Sequence, residues 1–200
     1  QRQMCIRDRN ILKSLDKRFK NFKINRGQVF SKRRGRTSFA RCLASNPDKL
    51  DGLNASTVIL DEFSQADSAE LKNVLTSSMG ARVNPMTIVI TTASDKLESP
   101  FVNMLNSYKA VLRGEVENDS IFAHIFEPDV NDAEDDPHTW AKVQPHLGIT
   151  VQADYYENEY RKAQMTAEDM LTFRTKLLNL FVQDEAKVWF TSGEIEAMCL

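Results

Sequence analysis

No stretch of this chain approaches the run of about 18 apolar residues that a membrane-spanning helix requires. Its basic start is not followed by the apolar segment of a secretory signal. Cysteine is scarce: Cys5, Cys42 and Cys199 lie far apart and in no ligand spacing. That argues against a disulfide framework or a zinc site and fits a reducing compartment. The histidines His124, His138 and His146 are equally dispersed and read as surface or packing residues. No internal repeat or low-complexity segment is present. The order Gly, four residues, Gly-Lys-Ser/Thr, which cradles nucleotide phosphates, occurs nowhere.

What is there suits one globular domain, or a domain with an appendage: 200 residues, 42% hydrophobic and 27% charged. The net charge of -2 conceals an asymmetry. Residues 1–49 hold 15 of the 26 Lys/Arg and only 3 of the 28 Asp/Glu. A basic segment beside an acidic body points to a polyanion partner, nucleic acid being the obvious one. A solvated basic surface is the plainer alternative.

The organising stretch is Thr57-Val58-Ile59-Leu60-Asp61-Glu62-Phe63. A short apolar run of this kind predicts a strand buried on both faces, with Asp61 and Glu62 where it surfaces at its carboxyl end. In open α/β sheets that edge binds ligands. The pattern is that of a Walker B segment. Asp61 would hold magnesium through water, and Glu62 would orient and deprotonate the water that attacks a nucleoside triphosphate. A strand ending in a solvated acidic turn is the alternative. With no phosphate-cradling loop in these residues, the nucleotide reading requires one elsewhere in a longer protein.

Along the chain, Gln3–Arg9 resembles a translated sequencing-adapter remnant, so residues 1–9 read as a non-native leader. An intact gene carrying the same residues through this point would refute that. Residues 10–23 show helical spacing, 24–30 a strand or turn, and 31–36 a charged, glycine-containing loop. Thr37–Ser45 reads as a strand. Asp67 or Ser68 starts a helix whose stripe is Leu71, Val74, Leu75 and Met79, with Gly80 as its stop. Met86–Ser94 is a second buried strand, completing a βαβ unit with parallel strands. Thr91 and Thr92 should then surface at the edge that carries Asp61 and Glu62, where hydroxyls can sense the terminal phosphate; Thr is also simply a good strand residue. Arg82, in the loop before that strand, is a weaker candidate for touching phosphate or a neighbouring subunit.

Ser99, Pro100 and Gly114 bracket another helix, with Phe101, Leu105, Tyr108 and Leu112 on one face. Residues 115–136 hold nine Asp/Glu and no Lys/Arg. Within them Ile121–Phe126 reads as a strand, and Asp129–Pro137 as a solvated loop. The last third is helical: Trp140–Leu147 with a bend at Pro145 and Gly148, then Val151–Gln164 with Tyr156, Tyr160 and Ala163 in register. Thr166–Asp169 approximates a capping box that opens a helix through Met170, Phe173, Leu177, Leu178 and Phe181.

Taken in order, these segments resemble the large subunit of tailed-bacteriophage DNA-packaging terminases. Leu50–Asn54 before Val58–Glu62 is similar to the family's approach to Walker B. Met79–Pro85 followed by Ile90–Ala93 is similar to its coupling segment, Trp140–Gly148 to the end of its motor, and Phe173–Asn179 to the linker helix before its nuclease. The resemblance implies an α/β fold: a partial P-loop-type (ASCE) ATPase sheet, mostly parallel, followed by a helical linker region. It implies Asp61 as the magnesium position, Glu62 as general base, and Thr91 and Thr92 as coupling residues. ATP and Mg2+ are the implied cofactors. Duplex DNA, the portal protein and procapsid, the terminase small subunit and further copies in a ring are the implied partners. The implied location is the infected bacterial cytoplasm, docked transiently at the portal, with no membrane association and no place in the mature virion. The expected division is 1–9 leader, 10–36 basic helix and loop, 37–148 the later part of the motor, and 149–200 a linker. The phosphate loop would precede residue 1 and the nuclease carboxylates would follow residue 200, so these 200 residues alone would neither hydrolyse ATP nor cut DNA. A helicase-like or other ASCE ATPase acting on nucleic acid, and a non-enzymatic DNA-binding or structural protein, are the competing readings.

Overall fold

The computed structural model describes residues 22–25, 28–33, 36–43 and 53–183, together with Ser14. The leader (1–9) and nearly all of the first helix expected from sequence lie outside the described residues, as does everything after 183. The chain divides into two compact units, Gln1–Leu50 and Asp51–Leu200.

In the first unit, β1 (Phe22–Asn25), β2 (Gln28–Arg33) and β3 (Arg36–Arg41) form an antiparallel sheet in that order. Two expectations change here. Phe22 and Lys23, read as the end of a helix, begin β1. The charged loop over 31–36 is mostly strand: Ser31 pairs with Ser38, Lys32 with Thr37 and Arg33 with Arg36, so the connection shrinks to residues 34–35. An antiparallel sheet tolerates charge on a solvated face, and Phe30 opposite Phe39, with ring centroids 6.2 Å apart, supplies a cross-strand pair that outweighs the charge run.

In the second unit, β4 (Thr57–Asp61) and β5 (Met86–Ile90) are parallel, with Asp61 opposite Ile90, and α1 (Glu70–Ser77) lies between them in sequence. This is the βαβ unit read from the sequence. Helix α1 starts later than expected, at Glu70, and ends before Gly80. The expectation that β4 is buried on both faces fails. Val58 and Leu60 are buried, whereas Ile59 is 62% exposed and Ile90 57%. The apolar residues of α1 and the loops after the strands cover only one side, and among the described residues nothing covers the other. Strand β5 also stops at Ile90 instead of Ser94, because its partner ends at Asp61 and leaves no backbone to pair with.

Helix α2 (Pro100–Leu112) begins as the sequence predicts. The Ser99 hydroxyl accepts from the Phe101 amide, Pro100 takes the first turn, and Gly114 follows with φ 73°. Leu105 is buried, but Leu112, expected on the same inner face, is exposed. The predicted strand Ile121–Phe126 is not one: the segment pairs with no strand, and Phe122 is almost wholly exposed. The acidic stretch is held instead by cations from elsewhere. Lys109 meets Glu127 at 2.6 Å, Lys142 meets Asp129 at 2.7 Å and Asp132 at 2.6 Å, and Arg174 meets Glu134 at 2.9 Å.

Residues 129–137, expected to be a solvated loop, end in a helix start. The Asp136 carboxylate caps α3 (Pro137–Val143) by accepting from the His138 amide at 2.8 Å. Then come α4 (Ala153–Ala163) and α5 (Ala167–Thr172), which continues as a π-helical turn, Phe173–Leu177. Thr166 caps α5 as predicted, accepting from the Asp169 amide at 3.0 Å. The aromatic stripe forms a core of Trp140, Val143, Tyr156, Ala163, Phe173 and Leu178. Its polar ends are satisfied: Trp140 Nε1 donates to the Glu134 carbonyl at 2.8 Å, and the Tyr156 hydroxyl to the Leu177 carbonyl at 3.2 Å. Burial pushes the Tyr156 phenol above its ordinary pKa. Among the described residues no helix is long and apolar enough to cross a membrane.

Candidate active site

The acid pair stands where β4 gives way to a left-handed turn. Glu62 has φ 57° and ψ 38°, a region costing a non-glycine residue about 1–2 kcal/mol. Its surroundings impose that conformation. The Glu62 amide donates to the Ile90 carbonyl at 2.8 Å, and its carbonyl accepts from the Gln65 amide at 3.0 Å. A single 3-10 turn, Phe63–Gln65, follows, with Phe63 and Ser64 buried. Successive strand residues face opposite sides, so Asp61 shares the open face of Ile59, while Glu62 is already leaving the strand. Both carboxylates are exposed.

The neighbouring strand brings Thr91 and Thr92 to the same end of the sheet. Thr91 Oγ1 accepts from the Ser64 amide at 3.0 Å, lacing the turn after the acid pair to the segment after β5. Ser94 Oγ donates to the Ser64 carbonyl at 3.3 Å, and Lys96 Nζ to the Gln65 carbonyl at 3.0 Å. Thr92 Oγ1 accepts from Lys176 Nζ at 3.4 Å, and the Ala93 amide donates to Asn179 Oδ1 at 2.7 Å. The structure thus places residues 61, 62, 91 and 92 along one rim. Their loops are tied by side-chain-to-backbone bonds, and the carboxylates are left open to solvent.

Arg82 is not there. Its guanidinium donates to the Asn54 carbonyl, before β4 begins, and the Met86 amide bonds the Ser56 carbonyl at that same end. A five-residue strand, roughly 13 Å long, separates it from the acid pair. In its own chain Arg82 cannot share a phosphate with Asp61 in this arrangement.

Sequence reasoning missed Ser64, Ser94, Lys176 and Asn179. Only Asn179 carried a usable signal, as an Asn just past a helix end, where the left-handed conformation is common. Among the described residues no three His, Cys, Asp or Glu gather as a metal-binding group. A magnesium ion carried by triphosphate needs only one or two carboxylates, with phosphate oxygens and water completing the shell. Asp61 and Glu62 fit that requirement. A cavity of about 50 Å³ lined by Glu159, Lys162 and Phe173 lies at the helical core, and at that size it holds no nucleotide.

An acid-tipped strand, parallel to a neighbour ending in hydroxyls, with a helix between them, defines the class as an α/β protein built on a βαβ unit. The model of the terminase large subunit ATPase domain matches residues 7–110, and that of the terminase large subunit endonuclease domain matches residues 115–200. The chain belongs to the terminase large subunit family. The endonuclease match begins inside the stretch that the sequence reading assigned to the motor. In structure, the chain is similar to the HK97 bacteriophage large terminase, with a TM-score of 0.74 at 18% identity, over 90% of this chain and 38% of that one. At that identity the likeness shows the fold. The chain is also 29% identical to Protein YmfN of Escherichia coli (strain K12) over 131 residues, 66% of this chain and 29% of that protein. It therefore spans less than two fifths of either.

Proposed function

We propose that the complete protein is a DNA-packaging motor: ATP hydrolysis at the rim drives duplex DNA into a procapsid, and a nuclease activity cuts the concatemer. The observation that supports this most is the exposed Asp61–Glu62 pair at the tip of β4, on one rim with Thr91 and Thr92. In this reading Asp61 holds magnesium through water, and the ion neutralises charge on the phosphates. Glu62 orients the attacking water and takes its proton, which needs a carboxylate open to the reacting centre. Thr91 and Thr92 link the state of that centre to the segment behind them. Arg82, at the far end of the strands, is left with a neighbouring subunit as its partner.

We place the end of the motor between the two matched models, at 110–115 rather than at 148, and read 149–183 as a helical approach to the metal-binding carboxylates of the nuclease. The proposed partners are duplex DNA, the portal and procapsid, the small subunit and further copies in a ring, within the host cytoplasm. The 200 residues alone should show no ATP turnover, because they contain no Gly-rich phosphate-binding loop.

The test is Glu62→Gln in the complete protein. ATP binding should persist while turnover falls by about 100-fold or more, the scale of general-base catalysis. Turnover equal to the parent's would reject the motor reading.

A further inference from the structure

Asn179 is, with Glu62, one of two non-glycine residues with positive φ among the described residues, at 56°. Its side chain bonds two backbone segments far away in sequence. Oδ1 accepts from the Ala93 amide at 2.7 Å, and Nδ2 donates to the Phe126 carbonyl at 2.7 Å. The first partner directly follows Thr91 and Thr92; the second lies in the acidic stretch between α2 and α3. A primary amide offers a donor and an acceptor side by side, so it can satisfy an N–H and a C=O together as a strand would. Neither a carboxylate nor an apolar isostere can do both.

The mounting of this amide is firm. Asn179 follows the π-helical turn Phe173–Leu177, whose end is fixed by the Leu178 amide donating to Phe173 at 3.0 Å and the Leu180 amide donating to Arg174 at 2.9 Å. Phe173 and Leu178 are buried in the aromatic core, at 2% and 0% exposure. On the same turn, Lys176 reaches Thr92 Oγ1 at 3.4 Å. The loop after β5 is therefore held on one side by Ser64 through Thr91, and on the other by the helical core through Lys176 and Asn179.

We propose that Asn179 is a positioning residue for the ATP site. It fixes the Ala93 backbone, and through it Thr91 and Thr92, relative to Asp61 and Glu62, so that the rim's geometry depends on the helical segment. The proposal rests on the ATPase reading of the rim. Displacements of about 1 Å in a positioning element are enough to cost turnover by large factors.

Two variants of the complete protein test it. Asn179→Gly keeps the left-handed backbone and removes both bonds. Asn179→Asp keeps the shape but sets a second acceptor against the Phe126 carbonyl, so the carboxylate cannot serve both partners. ATP hydrolysis is measured below each variant's thermal transition. Both should lower kcat by about tenfold and leave KM for ATP within about twofold, the signature of an interaction that matters after binding. Parental kcat in either folded variant overturns the proposal, whatever happens to Tm, as does a change confined to KM. If Asn179→Gly does not fold, Asn179→Asp decides by the same criterion. Glu62→Gln, assayed alongside, separates the two claims. Slow turnover in Glu62→Gln with parental kcat in the Asn179 variants removes the clamp alone, whereas parental turnover in Glu62→Gln removes the ATPase reading beneath it.

Discussion

The rim of the parallel strands and the helical core of the last third are built on opposite plans. At the rim, carboxylates are exposed, one sheet face is bare, a glutamate sits in a costly backbone region, and loops are tied by single hydrogen bonds between side chain and backbone. In the helical core, Trp140, Tyr156, Tyr160 and Phe173 interlock, with centroid separations of 5.7 Å for Trp140–Tyr156 and 5.3 Å for Tyr160–Phe173, and the buried polar tips find carbonyls. Aromatic packing stabilises the second region, whereas the first is buried on one side only, where Val58, Leu60, Phe63, Leu75 and Met79 lie. The part proposed to hydrolyse ATP is tied by single bonds, and the part that holds it is packed around aromatic rings. Asn179 joins the two.

The largest effect that would break this contrast is on stability. Phe173→Ala should cost about 3–5 kcal/mol, the range for losing a buried aromatic ring. Ile59→Ala, on the bare face, should stay within about 0.5 kcal/mol. Urea unfolding, followed by far-ultraviolet circular dichroism, measures both. Equal losses would show that the open face of β4 is covered in solution and that the two regions are not built differently.

Helix capping sharpens the same contrast on a smaller scale. In the helical region, Thr166 Oγ1 accepts from the Asp169 amide and donates to the Asp169 carboxylate at 2.7 Å. Next to the rim, α1 has Ala69 at its N-cap and so no side-chain cap, and the Ser68 hydroxyl accepts from the Glu70 amide at 3.4 Å. Thr166→Ala should therefore cost about 1 kcal/mol, and Ser68→Ala a few tenths. Similar values from the two substitutions would mean that α1 is as well anchored as α5.

These two regions also differ in how far the chain announces them. The acid-tipped strand, the Ser99-Pro100 start, the Thr166 cap and the stripe of Tyr156 and Tyr160 follow from patterns confined to a few adjacent residues. The exposure of Ile59 does not, because it depends on what packs against the sheet rather than on the strand itself. Ile121–Phe126 has strand composition but no partner strand, and pairing is a property of the fold, not of the segment. Residues 31–36 show the reverse: their charge suggested a loop, yet pairing with 36–38 made most of them strand. The Asp136-Pro137 start was legible by the rule that found Ser99-Pro100; the surrounding acidity hid it. The turn at Glu62 and the reach of Asn179 across 86 residues leave no local trace beyond an Asn after a helix.

The smallest effect concerns the acidic stretch that runs between the two regions. Lys142 donates to Asp129 and Asp132, and these bonds raise its pKa above the ordinary lysine value. The bond from Lys142, followed by one from the Asp129 amide, holds Asp132 below the usual carboxylate value. A depressed carboxylate contributes stability that is present above its unfolded-state pKa and is lost as pH falls through its lower folded-state pKa. The window therefore lies below 3.8, the ordinary aspartate value. Lys142→Met removes the larger cause, so the variant should be slightly less stable than the parent near neutrality. That gap should stay constant down to about pH 4 and close below it. These groups face solvent, so roughly 1 M salt should narrow the gap at neutral pH as well. Urea midpoints of parent and variant across pH 2.5–7 decide it. A gap that persists at the acid end would assign the loss to packing of the lysine stem on α3 instead of to charge, leaving Arg174, Asn179 and the Trp140 indole to hold the acidic stretch to the helical region.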